Sequence, residues 1–183
     1  MASRRLNFSA RALVAMSAAI TVTLAAADDG GGTRPVTART IAVAGTGTDL
    51  LNGAVIHSKR QTPNGMVQLS TEIVELQGDL TGRVLYHVTS TFDFASGTLV
   101  NTGQQVYSGT VAGSEPVLLY DQRFRFEVNL KTDEEHGSVY LTDPIAGPDV
   151  RCTLNVIGTG KGADGNPTFR YAGTCSFAEV RGR

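Results

Sequence analysis

Tryptophan is absent from the 183-residue chain, cysteine occurs twice and histidine three times. Each shortage excludes something. Two cysteines are too few for a disulfide scaffold and, with no histidine near them, too few for a structural zinc site. With no tryptophan and only 7% aromatic residues, the chain has little from which to build the aromatic platforms of a polysaccharide-binding module. Excess charge is missing as well. The 16 Lys and Arg against 17 Asp and Glu leave a formal net charge of −1, without the basic footprint of a nucleic-acid binder. No apolar run reaches the roughly 20 residues needed to cross a bilayer. A 41% hydrophobic composition is nevertheless too rich for a disordered chain, and the length suits one domain.

The first 27 residues differ in kind from the rest. MASRRLNFSARALVAMSAAITVTLAAA carries Arg4, Arg5 and Arg11 with no acid, then an apolar stretch over residues 12–24, then Ala25, Ala26 and Ala27. A basic segment, a short apolar core and small residues, in that order, predict a secretory signal peptide cleaved before Asp28. No cysteine stands at the cleavage point and no second long apolar run follows, so the expectation is a secreted or periplasmic protein without a membrane anchor after cleavage. Cleavage leaves 156 residues with 13 basic and 17 acidic side chains, a net charge of −4. The segment DDGGGT opens a flexible leader over residues 28–38, and the remaining domain spans 39–183.

From Arg39 onward no window carries apolar residues at helical spacing. Period-2 alternation recurs instead, in runs over about 39–45, 53–60, 66–77, 82–93, 98–111, 117–130, 137–142, 150–158 and 168–179. Turn residues separate the runs at Pro63-Asn64-Gly65, Ser96-Gly97, Asp133 to Gly137 and Asp164-Gly165-Asn166. All six prolines fall between the runs, where a missing N–H breaks no ladder. Eight or nine short antiparallel strands at this spacing predict an all-β domain, a single closed β-barrel with a two-sheet sandwich as the alternative.

Alternation also assigns faces, because side chains reverse direction at every residue of a strand. In 82–93 the inward set is Val84, Tyr86, Val88, Ser90 and Phe92. In 117–130 it is Leu118, Tyr120, Gln122, Phe124, Phe126 and Val128, with Asp121, Arg123, Arg125, Glu127 and Asn129 forming a solvated, ion-paired stripe outside. In 66–77 the apolar positions put Val67, Leu69, Thr71, Ile73 and Glu75 inside.

Cys152 and Cys175 flank the turn GADGNP, and a register that sets them opposite each other also pairs Leu154 with Gly173, Val156 with Tyr171 and Gly158 with Phe169. That register satisfies the apolar alternation of both strands, whereas a slip of one residue would turn every side chain over. An exported protein with this pairing forms a disulfide.

The run Gly160-Lys161-Gly162-Ala163-Asp164-Gly165 matches G-x-G-x-x-G but leads into Asn166-Pro167 and a strand. With no helix N-terminus to cradle a phosphate it reads as a hairpin turn. His57, His87 and His136 lie on separate runs, and His136 sits beside the acidic tip Asp133-Glu134-Glu135. No hydrolase elbow, zinc motif or phosphate loop is present, so no cofactor and no metal is expected. The interior then has a few polar members. Glu75, buried among apolar groups, is the candidate general base, and Tyr86, Ser90, Tyr120, Gln122 and Tyr171 are candidate ligand contacts.

Three segments carry a family resemblance: GDLTGRVLYHVTSTFDF (78–94), QQVYSGTVAG (104–113) and VIGTGKGADGNPTFRYAGTCSF (156–177). Across residues 66–179 their Gly-bounded turns and long strands resemble the allene oxide cyclase/dirigent-like β-barrel proteins. The resemblance implies a small eight-stranded barrel, often a homo-oligomer, that holds an apolar small molecule and needs no cofactor, as a cyclase or isomerase in some members. The paired cysteines and scarce aromatics depart from that group, and none of its catalytic residues is carried over. The competing reading is a non-catalytic structural or interaction protein of the cell exterior with a filled barrel.

Overall fold

The computed structural model describes residues 38–178; the expected signal peptide and all but the last residue of the expected leader lie outside them. Eleven strands run β1 Ala38–Asp49, β2 Val55–Thr62, β3 Gly65–Gly78, β4 Leu80–Asp93, β5 Thr98–Val111, β6 Val117–Asp121, β7 Arg125–Asn129, β8 Glu135–Leu141, β9 Asp143–Ala146, β10 Val150–Lys161 and β11 Pro167–Ala178. The described residues contain no α-helix, only a single 3-10 turn at Leu51–Gly53.

The domain is a closed, antiparallel eight-stranded barrel. Hydrogen bonding runs around the ring β1-β3-β4-β5-β7-β8-β10-β11 and back to β1. Strands β2, β6 and β9 lie outside that ring: β2 on the half of β3 that β1 leaves free, β6 on β5, and β9 on β6. All nine expected runs are strands. One of them, 117–130, is broken at residues 122–124, and β9 was not foreseen. Two prolines therefore lie in strands after all, where their missing N–H does no harm: Pro144 in the short β9 and Pro167 at the first position of β11.

Closure depends on glycine. β1 meets β3 over only the five pairs from Gly45↔Gly78 to Asp49↔Val74. At this seam a Cβ on Gly45 would lie 2.3 Å from the Tyr171 hydroxyl, and one on Gly78 would lie 2.7 Å from the Gly45 Cα. The space is used. From β11 the Tyr171 hydroxyl passes across β1, accepts the Leu80 N–H at 2.8 Å and faces the Gln77 and Leu80 carbonyls, each at 3.1 Å. A single side chain thus ties β11 to the β3–β4 turn. Elsewhere in the wall aromatic rings lie over inward glycines opposite them in register, Phe169 over Gly47 and Phe126 over Gly137.

The apolar plug fills the end of the barrel formed by the β3–β4 and β5–β6 turns. Leu80, Tyr107, Val111 and Leu119 are fully enclosed there, with Cys152 and Cys175. The β10–β11 register is the one expected, Cys152↔Cys175, Leu154↔Gly173, Val156↔Tyr171 and Gly158↔Phe169, and the two cysteines form a disulfide. The G-x-G-x-x-G run is the hairpin turn, closed by Gly162 N–H to Asn166 O and by Asp164 Oδ1 accepting the Asn166 N–H.

Two measurements test this architecture. Replacing both cysteines by alanine should lower the unfolding free energy by about 3 kcal/mol in denaturant titration, the loop-closure value for a link of this span. Tyr171→Phe, which leaves the ring and removes the bridging hydroxyl, should cost about 2 kcal/mol by unsatisfying the Leu80 N–H; an unchanged midpoint would show that the seam does not rely on it.

Candidate functional site

The half of the barrel away from the plug is hollow. A cavity of about 600 Å³ opens toward the β4–β5, β7–β8 and β10–β11 turns, space for roughly 20 waters. Its floor is made by Leu76, Val84, Leu141, Leu154 and Tyr171, and its rim includes Leu51, Asp133 and Lys161.

Register explains how polar groups come to line it. Glu72 pairs with Tyr86, Tyr86 with Gln105 and Gln105 with Asp121, so one polar row crosses four neighbouring strands on their inner face. A second row, Gln68, Ser90 and Asn101, lies nearer the mouth. Asp121 is structural. Buried at 1% exposure, it sits where β6 gives way to β7, accepting Arg123 N–H at 2.6 Å, Tyr140 N–H at 2.8 Å and Gln105 Nε2 at 2.9 Å. Glu72 faces the cavity with Oε1 held by the Ser70 hydroxyl at 2.6 Å. Tyr86, 5% exposed, packs its ring on Phe124 and Phe126, and its hydroxyl has no hydrogen-bond partner among the described residues.

Three carboxyl groups gather around this end. Asp49, at the tip of β1 beside Val74, has a buried Oδ1 without a partner. Burial first, then the charges of Glu72 and Glu135, push its carboxyl up to about 7. Burial also raises Glu135. Desolvation, followed by the charge of Glu72, drives the Tyr86 phenol well above its ordinary range.

Of the expected contacts, Tyr86, Ser90 and Tyr171 line the cavity. Tyr171 does so mainly as the floor, its hydroxyl being consumed by the seam; burial raises its phenol, against the Leu80 hydrogen bond. Three expected interior residues are elsewhere. Glu75 is outside, bonded across strands to Arg83 Nε at 2.9 Å, because the inner face of β3 is Gln68, Ser70, Glu72, Val74 and Leu76. The apolar Val67, Leu69 and Ile73 that suggested the opposite phase occupy the outer face beside β2 and β4. Tyr120 and Gln122 are also outside the cavity. The irregular residues 122–124 reverse the alternation, so Val117, Leu119 and Asp121 point inward before the break, and Phe124, Phe126 and Val128 after it. The expected outer stripe loses Asp121 to the interior but keeps Arg123, Arg125, Glu127 and Asn129, with Arg125 on Glu127 at 2.8 Å and His136 at 3.7 Å from the same carboxylate.

Asp49, Glu72 and Glu135 are the functional candidates that alternation did not single out. Turn residues place Glu135 in the acidic tip, but the turn falls at residues 130–134, capped by Asn129 Oδ1 on the Lys131 and Thr132 N–H groups, and Glu135 begins β8. His57 and His87, expected apart, share Thr71 Oγ1 at 2.8 Å each on the outer surface. Compared with protein-family models, curated proteins and solved structures, the chain matches none.

Asp49 gives the site a pH signature. Its folded carboxyl stays protonated up to about pH 7, whereas unfolded it ionises near 3.8, so folding takes up a proton between those values and stability falls as pH rises through that window. Glu72, Glu135 and Tyr86 are the titratable groups facing it. Asp49→Asn should remove this slope, gaining on the order of 2 kcal/mol over wild type at pH 8 relative to pH 4, after allowance for partial solvation. Parallel pH profiles for the two proteins would contradict the assignment.

Proposed function

We propose that this protein is an exported β-barrel that binds a small, largely apolar molecule inside its hollow half. The cavity carries the proposal. At about 600 Å³ it lies within the roughly 300–1,000 Å³ of ligand sites, and its walls combine aliphatic and aromatic side chains with a few convergent polar groups. An eight-stranded barrel is wide enough either to be filled by its own side chains or to hold one small ligand. Here the inward glycines and small residues leave the upper half open, which speaks against the filled barrel of a purely structural protein. Export rests on the basic, apolar and small-residue order of residues 1–27 and on the Cys152–Cys175 disulfide, which suits an oxidising compartment. The likeness to allene oxide cyclase/dirigent-like barrels supports the same reading, homo-oligomers included.

A second reading, a cofactor-free isomerase or cyclase, is favoured by one observation. Asp49, with a carboxyl raised to about 7, stands on the same cavity wall as Glu72 and the Tyr86 hydroxyl. An acid that titrates near neutrality can give and take a proton within a turnover.

The binding reading is tested with a neutral solvatochromic fluorophore such as Nile red. The mature protein should shift its emission to the blue with saturable, micromolar affinity. Ser90→Phe, which projects a ring into the cavity, should weaken that binding at least ten-fold while the far-ultraviolet circular dichroism stays that of wild type. Failure of the wild-type protein to bind, or binding indifferent to the filled cavity, would refute the proposal.

A further inference from the structure

The charged groups lining the cavity are unequal in sign. Asp49, Glu72, Asp133 and Glu135 face Lys161 alone. Exported proteins that take up fatty acids or other anions need the reverse, since a carboxylate ligand would set a further acid among these in a partly desolvated site. A purely hydrocarbon ligand fits no better, because it would displace the water that solvates these carboxylates and offer no donor in return.

The hydrogen-bond inventory points the same way. Asp49 Oδ1 and Asn101 Oδ1 are buried acceptors without a donor. Glu72, 7% exposed, takes the Ser70 hydroxyl on Oε1 and lies within hydrogen-bonding reach of the Asp49 carboxyl. The Tyr86 side chain is 5% exposed, lines the cavity, and carries an unpartnered hydroxyl beside Glu72 in register. Unpaired acceptor oxygens therefore face the cavity, and an ammonium group supplies three donors with a positive charge. Phe92, Phe126 and Phe169 add ring faces to the same walls, and such faces attract cations. Among the described residues no cluster of His, Cys, Asp and Glu is arranged to hold a metal ion, which leaves an organic cation as the group that answers these charges.

We propose that the cavity selects an amphipathic amine, its apolar body against the aliphatic floor and its ammonium head held by Asp49, Glu72 and Glu135 together with the Tyr86 hydroxyl. The inference rests on the small-molecule reading above and specifies its ligand class. Amine binding should also draw a proton off Asp49 at pH 6, since its carboxyl is held largely neutral in the empty cavity and ionises opposite a cation.

The test is displacement of Nile red from the mature protein by decylamine, decanol and decanoate, which share a chain and differ in the head group. At pH 7.5 and low salt decylamine should compete at least ten-fold more tightly than decanol, and decanoate should be the weakest. Added salt should weaken the amine and leave the alcohol unchanged. In Glu72→Gln/Glu135→Gln the amine preference should fall to within about three-fold, with decanol affinity retained. Glu135→Gln alone, at a strand end where folding is little affected, should show about a three-fold loss in the same direction. Decanol matching decylamine, or decanoate binding best, while the fluorophore binds normally would overturn the amine assignment and leave the small-molecule reading standing. A wild-type protein that takes up neither the fluorophore nor any of the three would overturn both.

Discussion

The structure depends on one closure. A sheet of eight strands has two edges unless its first and last members meet, and here β1 must pair with β11 on one side and β3 on the other. The meeting with β3 is short, five residue pairs from Gly45 to Asp49. It forms only because Gly45 and Gly78 let the backbones approach and let the Tyr171 hydroxyl pass between them to the Leu80 amide. Free N–H and C=O groups at an open edge would invite pairing with other chains. Closed, the same groups become a wall, and the wall defines an inside.

What that inside contains follows from the depth at which each strand places its large side chains. Below the seam, Leu80, Val111, Leu119 and the disulfide fill the lumen. Above it, Gly47, Gly137 and Gly158 stand on the inner face where a chain of larger residues would have met at the axis. Phe169 and Phe126 lie flat over two of them rather than projecting inward. The cavity is thus a consequence of glycine placement on β1, β8 and β10. Its polar row persists because Glu72, Gln105 and Asp121 each have at least one hydrogen-bond partner, so the cost of burying them is partly offset. Asp49 and Asn101, which also line the cavity, each keep one buried oxygen without a partner.

Much of this is legible in the chain alone. Alternating runs and turn residues sufficed for an all-β barrel, and the two cysteines with the turn between them were enough for the β10–β11 register. The inner face of β4 was legible for the same reason, since Val84, Tyr86 and Val88 alternate without interruption. The inner face of β3 was equally determined, though not by its own composition. Residues of β3 and β4 pair when their numbers add to 158, as the tight turn between Gly78 and Leu80 requires. Paired residues share a face, so Tyr86 inside means Glu72 inside and Glu75 outside. Hydrophobicity pointed the other way because Val67, Leu69 and Ile73 sit on a half-covered outer surface.

The sequence by itself determined the local chemistry: strands where side chains alternate, turns where glycine, proline and asparagine tolerate the backbone, and a disulfide where one register joins two sulfurs. These are short-range matters of sterics and hydrogen bonding. The tertiary structure alone decided what the interior became. The break at residues 122–124 reverses the alternation, exchanging Tyr120 and Gln122 for Asp121, and no period in the sequence announces such a break. Asp49, Glu72 and Glu135 come from three strands and converge only when the ring closes, and their mutual repulsion and shared burial exist only in that closed geometry.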